Sequence, residues 1–381
     1  MTTFEVSRRG LLAVTGLGLL GTTLLGCAPA GSTGTGGASG STRPRADRRM
    51  GAEWDSHELT VMSWPTALIW GEDIEYVRQD IASIARAIAE FEPVVMLASA
   101  ADVEDATAEC GSAVEVVELA VDDLWARDTV PVFVEGADGV EGVDFNFNGW
   151  GDKQVHPNDG RVGQEFLREF EIPRIQANLV GEGGSLETDG RGTLLVTESS
   201  LVNDNRNPGL SRDEIENRLT KLLGMRKVIW FDGVYDEDIT DAHIDSLVRF
   251  TAPGAVLLDT PGAGAPDDVW SRSSAQARSV LQEATDADGN GFEVVDLPQP
   301  DFGEIRGSGD DFLASYVNFY VGNGAVFVPE FGDRAADDRA QGILQDHFPD
   351  REIVALNIDT VASGGGGIHC ATHDLPGTPE D

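Results

Sequence analysis

The sequence has few basic residues and few cysteines. Among its 381 residues, 27 are Lys or Arg and 66 are Asp or Glu, which gives a formal net charge of −39. Nucleic-acid binding needs a basic surface, so this balance excludes nucleic acid as a partner. Exposed like charges repel each other and salt screens them, so the acidic surface predicts adaptation to high salt. Such a surface would also attract cationic substrates.

Long apolar runs are scarce as well, and the clearest apolar stretch lies at the N-terminus. It follows Arg8 and Arg9, is interrupted by glycines, and is too short for a transmembrane helix. This layout is typical of a twin-arginine export signal, and its end, LLGC, resembles a lipoprotein processing site. We therefore expect residues 1–26 to be a signal and Cys27 to be lipidated, which would anchor the protein at a membrane outside the cytoplasm. The alternative is an ordinary signal cleaved elsewhere.

The next segment predicts a linker in front of one folded domain. Residues 27–48 are rich in Gly, Ser and Thr and have little to bury, so they are expected to form a flexible tether. From residue 49 onward the chain has a globular composition, and we assign residues 49–381 to a single domain.

Only Cys110 and Cys370 remain within this domain. A disulfide between them would be one use for them in an oxidising compartment. However, Cys110 ends a helix-like stretch, whereas Cys370 follows four glycines in GGGGIHCATHD, residues 364–374. Glycine lets the backbone approach a ligand closely but loses much conformational entropy on folding, so a run of four needs a reason. We therefore favour Cys370 as a reactive thiol.

The domain repeats a unit of strand, strand, helix and strand. Three units begin with EGGSLETDGRGTLLVT, HIDSLVRFTAPGAVLLDT and YVNFYVGNGAVFVPEF, and each places glycine between two strand-like segments, as hairpins do. Two less regular units precede them. Such units bury their faces by stacking, and about five of them predict an α/β propeller with five blades. A doubly wound sheet is the alternative, but hairpins are too frequent for it.

Polar residues stand where the first strand of each unit begins. Asp128 lies in WARD, Glu182 in EGGS, His243 and Asp245 in HID, and Cys370 in GIHC. In a propeller the first strands line the central axis, so these five side chains are expected to converge into an active site.

Such a set suits a guanidinium substrate. A guanidinium presents a planar fork of N–H donors that carboxylates bind in bidentate fashion. Neighbouring carboxylates raise the pKa of a thiol, so the bound cation itself is needed to favour the thiolate of Cys370.

Several motifs together resemble the agmatine deiminase and bacterial-type peptidylarginine deiminase family. They are AEWDSHELTVMSWP, LWARDTVPVFV, FNFNGWGDK, EGGSLETDGRGTLLVTESSLVNDNRNP, HIDSL, SYVNFYVGNGAVFVPEFGD and GGGGIHCATHDLP, in order from about residue 50 to residue 376. The resemblance implies the pentein fold, a five-bladed α/β propeller. It also implies hydrolysis of a C–N bond in a terminal guanidine, with no metal or organic cofactor.

The resemblance also implies a role for each site residue. Cys370 would be the nucleophile that forms a covalent amidino intermediate, and His243 the general acid and base. Glu182 would orient His243, while Asp128 and Asp245 would clamp the guanidinium. Trp125 is expected to be a pocket wall or packing residue, and His369 is expected to be structural because it points away from Cys370 on a strand.

One departure leaves the substrate open. Agmatine deiminases usually carry an acidic residue four positions before the catalytic histidine, where this chain has Ile239, although Glu237, Asp238 or Asp241 would be near enough to compensate. Agmatine is the first expected substrate, and arginine within a peptide is the alternative. A membrane-tethered protein that binds guanidino compounds without turnover is an alternative of another class.

Overall fold

The computed structural model describes residues 48–262, 264–309 and 311–377. Within them the strands form five small sheets. Four sheets consist of an antiparallel hairpin and a third strand parallel to the second. The fifth has four strands, an antiparallel pair followed by two parallel strands. The strands are β1 His57–Ser63, β2 Val94–Ala98, β3 Val114–Glu118, β4 Val132–Gly136, β5 Gly139–Asp144, β6 Arg174–Gln176, β7 Glu187–Thr188, β8 Thr193–Thr197, β9 Lys227–Phe231, β10 Val248–Ala252, β11 Ala255–Thr260, β12 Glu293–Pro298, β13 Tyr320–Gly322, β14 Ala325–Pro329, β15 Glu352–Leu356 and β16 Thr372–Pro376.

In every blade at least one helix connects the second strand to the strand parallel to it, and further helices lie elsewhere in the chain. The helices are α1 Ala67–Trp70, α2 Ile74–Ile88, α3 Val103–Cys110, α4 Ala126–Thr129, α5 Gly149–Asp152, α6 Asp159–Glu169, α7 Glu198–Leu201, α8 Arg212–Leu223, α9 Val269–Glu283, α10 Arg334–His347 and α11 Asp359–Ser363. The order of strand, strand, helix and strand predicted from the sequence is confirmed. The five-bladed α/β propeller is therefore the architecture of the domain.

The sequence explains why these elements form. In α2 the apolar residues recur at helical spacing and bury one face, which includes Val77, Ile81, Ile84 and Ile88. The middle strands β8 and β14 are buried along their whole length, as their continuous apolar sequences predict. Ser211 caps α8 through a reciprocal capping box with Glu214, which was also predicted.

The C-terminal strand closes the ring. Strand β16 pairs antiparallel with β1, and the first sheet has the order β16-β1-β2-β3. This pairing was not predicted from the sequence, because the first blade was expected to consist of N-terminal segments only. The last strand of the chain thus supplies the first hairpin strand of the first blade, as β4, β7, β10 and β13 do in the others.

The N-terminal predictions fall mostly outside the described residues. Residues 1–26 and Cys27 lie in the part of the chain that the structure does not describe. Arg48, at the predicted end of the tether, is buried, and its Nε donates to Glu141 at 2.7 Å. Across residues 48–262, 264–309 and 311–377, no helix has the length and apolarity needed to span a bilayer.

Candidate active site

The predicted site residues lie in short turns directly before the first strand of each blade. Asp128 lies in α4 before β4, and Glu182 precedes the turn that leads to β7. His243 and Asp245 flank the start of the turn before β10, and Cys370 lies two residues before β16. They were predicted at the beginnings of these strands, and the structure places them one turn earlier. A turn projects a side chain over the end of a sheet, whereas a strand would direct alternate residues to its two faces.

Gly184 marks the point at which three of these side chains meet. A Cβ added to Gly184 would lie 2.6 Å from Nδ1 of His243, 2.9 Å from Oδ1 of Asp128 and 3.1 Å from Oδ2 of Asp245. Only glycine leaves this space open. Its own backbone N–H donates to Oδ1 of Asp128 at 2.9 Å, which fixes that carboxylate.

Cys370 is held by the fifth blade. The amide of Asn318, directly before β13, donates from Nδ2 to the Cys370 sulfur at 3.1 Å and accepts the Cys370 N–H at 3.2 Å. Oδ2 of Asp245 lies 3.5 Å from the same sulfur. All five blades therefore contribute to one site.

The Cys370 thiol has a pKa well above its ordinary value. Burial of the sulfur is the main cause, and the negative charges of Asp245 and Asp128 add to it, while the Asn318 hydrogen bond acts in the opposite direction. Cys370 is therefore a thiol at neutral pH. A cation placed between Asp128 and Asp245 would offset their negative charges, lower the pKa of the thiol and so favour the thiolate.

His243 is buried among carboxylates and is cationic at neutral pH. Burial lowers the pKa of its imidazole, but the charge of Asp128 and the hydrogen bond and charge of Glu182 raise it to about 9. Nε2 lies 3.3 Å from Oε2 of Glu182, and Nδ1 lies 3.7 Å from Oδ2 of Asp128. An imidazolium in this position is able to give a proton to a leaving nitrogen.

Glu182 in turn is fixed by a buried arginine. Nε of Arg206 donates to Oε1 of Glu182 at 2.7 Å, and its NH1 donates to Asp241 at the same distance. Although burial raises the pKa of Glu182, the charge of Arg206 and the contact with His243 bring it below its ordinary value. Glu182 therefore stays ionised beside His243. Arg206 lies in VNDNRNPG, a segment whose Asn, Pro and Gly residues are typical of a turn.

His369 contacts a site residue, which corrects its predicted orientation. Its Nδ1 lies 2.7 Å from Oδ2 of Asp245, and its Nε2 lies 2.8 Å from Oε2 of Glu53. The alternation argument was wrong because residues 368–371 form a turn, and strand β16 begins only at Thr372. Burial raises the pKa of Asp245, but the hydrogen bond with His369 more than offsets this and leaves the pKa lowered.

Both candidate clamp residues keep acceptor capacity. Oδ1 of Asp245 is buried without a hydrogen-bond partner. Among the described residues, Oδ2 of Asp128 accepts one hydrogen bond, from Nε1 of Trp150 at 2.9 Å. A carboxylate oxygen has two lone pairs, so the two aspartates still have room for the N–H groups of a guanidinium.

A cavity of about 850 Å³ adjoins His243. Trp125 forms part of its wall, as predicted, and the ring of Trp125 packs over the glycine run: a Cβ on Gly366 would lie 2.2 Å from it. Trp54, in contrast, packs into the hydrophobic core. Among the described residues that line the cavity, seven are carboxylic acids and none is Lys or Arg: Asp123, Glu237, Asp238, Asp259, Asp268, Asp301 and Asp311.

Ile239 lies in the wall of this cavity, so an apolar side chain occupies the position discussed above. Among the acidic residues near Ile239, Asp241 already forms ion pairs with Arg206 and Lys153, both shorter than 3 Å. Asp238 accepts from Thr240 and from the backbone of Ala242. Asp241 therefore cannot compensate for Ile239 as proposed from the sequence.

The second cysteine of the domain lies apart from this site. Cys110 is buried at the end of α3, and both Cys110 and Cys370 are free thiols, so the disulfide alternative is wrong. Within the part of the chain that the structure describes, no cluster of three or more His, Cys, Asp or Glu side chains is arranged to hold a metal ion.

Sequence reasoning missed Asn318 and Arg206. Asn318 occupies the turn before the first strand of its blade, which is the position of Asp128, Glu182 and Cys370 in theirs, so comparison of the repeats could have found it. Arg206 had no such signal, since only the folded chain brings it to Glu182.

The comparisons with known proteins agree with this geometry. Residues 49–376 match the Porphyromonas-type peptidyl-arginine deiminase family. The agmatine deiminase of Medicago truncatula is 36% identical over 360 residues, which cover 86% of this chain and 96% of the relative. That of Pseudomonas aeruginosa is 38% identical over 365 residues, covering 87% and 97%. The solved structure of the Enterococcus faecalis agmatine deiminase superposes with a TM-score of 0.81 at 31% identity, covering 87% of this chain and 96% of the other. The chain belongs to the Porphyromonas-type peptidyl-arginine deiminase family, in which the resemblance of its motifs had placed it.

Proposed function

We propose that the protein is an agmatine deiminase, a hydrolase that converts agmatine and water to N-carbamoylputrescine and ammonia. Relatives named agmatine deiminase at 36–38% identity over most of the chain support this activity. The observation that carries the proposal is the convergence of Cys370, His243, Glu182 and two aspartates beside a cavity whose described lining is acidic and has no Lys or Arg.

The first step forms the covalent intermediate. Asp128 and Asp245 hold the guanidinium, whose positive charge lowers the pKa of the Cys370 thiol, and the thiol proton leaves to water in the cavity. The thiolate attacks the guanidinium carbon and forms a C–S bond. His243 gives its proton to one terminal nitrogen, the C–N bond breaks, and ammonia leaves.

The second step releases the product. Neutral His243 takes a proton from a water molecule whose oxygen attacks the amidino carbon. The C–S bond then breaks and the hydroxyl proton of the tetrahedral adduct passes to the sulfur, so the carbamoyl product departs and the Cys370 thiol and protonated His243 are restored. Glu182 keeps the imidazole of His243 oriented in both steps, because Arg206 fixes the Glu182 carboxylate. Every atom of the leaving ammonia and of the product comes from agmatine and water.

The acidic cavity favours agmatine over free arginine. Agmatine carries a second cation, whereas free arginine carries an α-carboxylate that needs a cationic partner. The described lining offers none. Arginine within a peptide has no such carboxylate, and the size of the cavity, with the partly exposed Trp270 and Phe302 among its lining residues, favours it as the second candidate.

Ammonia release tests the proposal. The protein, in high salt, is offered agmatine, free arginine and an arginine-containing peptide in parallel, with Cys370→Ala as the control. We expect turnover of agmatine and its loss in the control. Turnover of the peptide alone would assign the second candidate, and binding of these compounds without ammonia would indicate a solute-binding protein.

We also propose that the protein is exported by the twin-arginine route, lipidated at Cys27 and active in high salt. The support is the layout of residues 1–27 and the net charge of −39. Membrane fractionation of the wild type and a Cys27→Ala variant tests the anchor, with release of the variant expected. Thermal unfolding over increasing salt tests the adaptation, and equal stability at low and molar salt would contradict it.

A further inference from the structure

One buried carboxylate in the cavity wall has no part in the mechanism above. Asp259 lies near the end of β11, is 6% exposed, and lines the same cavity as His243. Its side chain accepts from Oγ of Ser315 at 2.7 Å through Oδ1 and from Nε2 of Gln299 at 2.6 Å through Oδ2. Both donors are neutral side chains.

This carboxylate has no cationic partner among the described residues. No described Lys, Arg or His side chain forms an ion pair with it, and its hydrogen bonds come from Gln299 and Ser315. Burial raises its pKa to about 7, and the hydrogen bonds from Ser315 and Gln299 only partly oppose this. A carboxylate offers about four acceptor sites, of which two are used here, so Asp259 retains capacity for a cationic donor.

Asp259 lies beside the turn that carries the catalytic residues. Its backbone N–H donates to the carbonyl of Leu247 at 2.9 Å, and Ser315 lies between its carboxylate and the carbonyl of Ser246. Ser246 in turn donates to the carbonyl of His243 at 3.1 Å. The two nitrogens at the ends of a four-carbon chain lie about 6 Å apart when the chain is extended. A substrate whose guanidinium is held beside His243 would extend its distal amine into this cavity, whose wall contains both His243 and Asp259.

Three other acidic groups of this region are less suited to binding an ammonium group. Asp123 already accepts from Nε1 of Trp70, Nε2 of Gln154 and the N–H of Leu124. Asp238 is partly exposed, so water screens its charge. Asp241 is neutralised by its two ion pairs. Among these four aspartates, Asp259 combines burial, a place in the cavity wall and free acceptor capacity.

We propose that Asp259 forms an ammonium subsite that binds the distal amine of the substrate and so selects a guanidine with a second cationic group. This inference rests on the proposed function. The carboxylate gains the cation it lacks, and the ammonium is bound in a place from which most water is excluded. Asp259 acts in binding and makes no contact with the reacting carbon.

The test compares two substrates that differ in the amine. Agmatine and 1-butylguanidine share the guanidine and the four-carbon chain, but only agmatine carries the ammonium. In Asp259→Asn we expect kcat/KM for agmatine to fall about tenfold or more, mainly through KM, and that for butylguanidine to stay within about twofold. Asp138→Asn is the matched control, because it removes the same charge from an exposed residue outside the cavity wall and should change kcat/KM for neither substrate.

The outcomes separate the two proposals. An equal loss for both substrates, or no loss for agmatine, overturns the ammonium subsite while leaving the deiminase intact. If the wild type releases ammonia from neither compound, the proposed function fails, and calorimetry on the Cys370→Ala protein still decides the subsite. The Asp259→Asn substitution in the Cys370→Ala protein must then weaken agmatine binding about tenfold and leave butylguanidine binding unchanged. If both proteins bind agmatine equally well, the ammonium subsite is overturned. Circular dichroism confirms that the variants fold.

Discussion

Nδ1 of His369 lies 2.7 Å from Oδ2 of Asp245, and Nε2 of the same ring lies 2.8 Å from Oε2 of Glu53. Glu53 is itself held by NH2 of Arg249 at 2.7 Å and NH2 of Arg127 at 2.9 Å. A buried chain of charge-assisted contacts therefore runs from the interior of the propeller to a carboxylate beside the thiol. His369 is a positioning residue in this chain, since it is placed to fix Asp245.

Two substitutions of His369 separate positioning from simple stability. An asparagine amide reproduces a donor near Nδ1, and a glutamine amide reproduces one near Nε2. We expect His369→Asn to keep KM for agmatine near the wild-type value, and His369→Gln to raise it about tenfold, because Asp245 loses its donor. Steady-state kinetics and thermal unfolding of both variants provide the check. Equal kinetic effects that follow the loss in unfolding temperature would assign His369 a structural role only.

Asn318 is expected to set the reactivity of the thiol. Replacing it with aspartate keeps the shape but places a carboxylate about as close to the sulfur as the amide, where it raises the thiol pKa further. We predict that Asn318→Asp lowers kcat/KM by about 10-fold to 100-fold and slows alkylation of Cys370 by iodoacetamide at fixed pH. The exposed substitution Asn178→Asp is the control and should alter neither rate. Unchanged alkylation in Asn318→Asp would refute this role.

The glycine run is explained by its contact with Trp125. A Cβ at Gly366 would lie 2.2 Å from Cζ3 of that ring and 3.1 Å from Cβ of Cys370, so the ring or the turn must move. We expect Gly366→Ala to reduce kcat/KM about tenfold or more, since small displacements of reacting groups have large effects on rate. Gly342→Ala, in the exposed part of α10 with no atom within 4 Å of the new Cβ, should instead stabilise the fold by about 1 kcal/mol. Full activity in Gly366→Ala would show that the turn tolerates a side chain.

Titration of His57 makes the free energy of unfolding depend on pH. Burial lowers the pKa of its ring, but the hydrogen bond with Glu92 and the charges of Asp374 and Glu92 raise it to about 9. Because the folded pKa exceeds the unfolded value, the stabilisation is complete below about pH 6.5 and is lost as the pH rises to about 9, on the order of 3 kcal/mol.

The variant His57→Gln removes this titration and keeps a polar side chain. We predict that the difference in unfolding free energy between wild type and variant is largest near pH 6.5 and shrinks towards pH 9. Urea unfolding at constant salt across this range measures it. A difference that does not vary with pH would mean that His57 has the same pKa in the folded and unfolded chain.

The repeats made the fold predictable because each hairpin carries its own local signal. Gly254 and Gly324 adopt positive φ at the hairpin turns, which a side chain disfavours, and they mark those turns in the sequence. The pairing of β16 with β1 joins residues more than 300 positions apart and has no local signal. This pairing is therefore visible only in the structure.

The site was predictable to the extent that it repeats from blade to blade. Asp128, Glu182, His243, Asp245 and Cys370 converge as expected, and their roles stay predictions until they are tested. His369 was misjudged because a strand was assumed where a turn stands. Ion pairs such as that between Arg206 and Glu182 depend on tertiary packing, and a segment rich in turn residues gives no indication of them.

The pairing of β16 with β1 also links closure of the propeller to formation of the candidate active site. The candidate nucleophile Cys370 lies two residues before the strand that closes the ring, so the pairing of β16 with β1 is what fixes the position of its turn. We expect a chain that ends before Cys370 to have no activity, because it lacks both the candidate nucleophile and strand β16. We therefore expect activity to appear during refolding only after β16 has paired with β1.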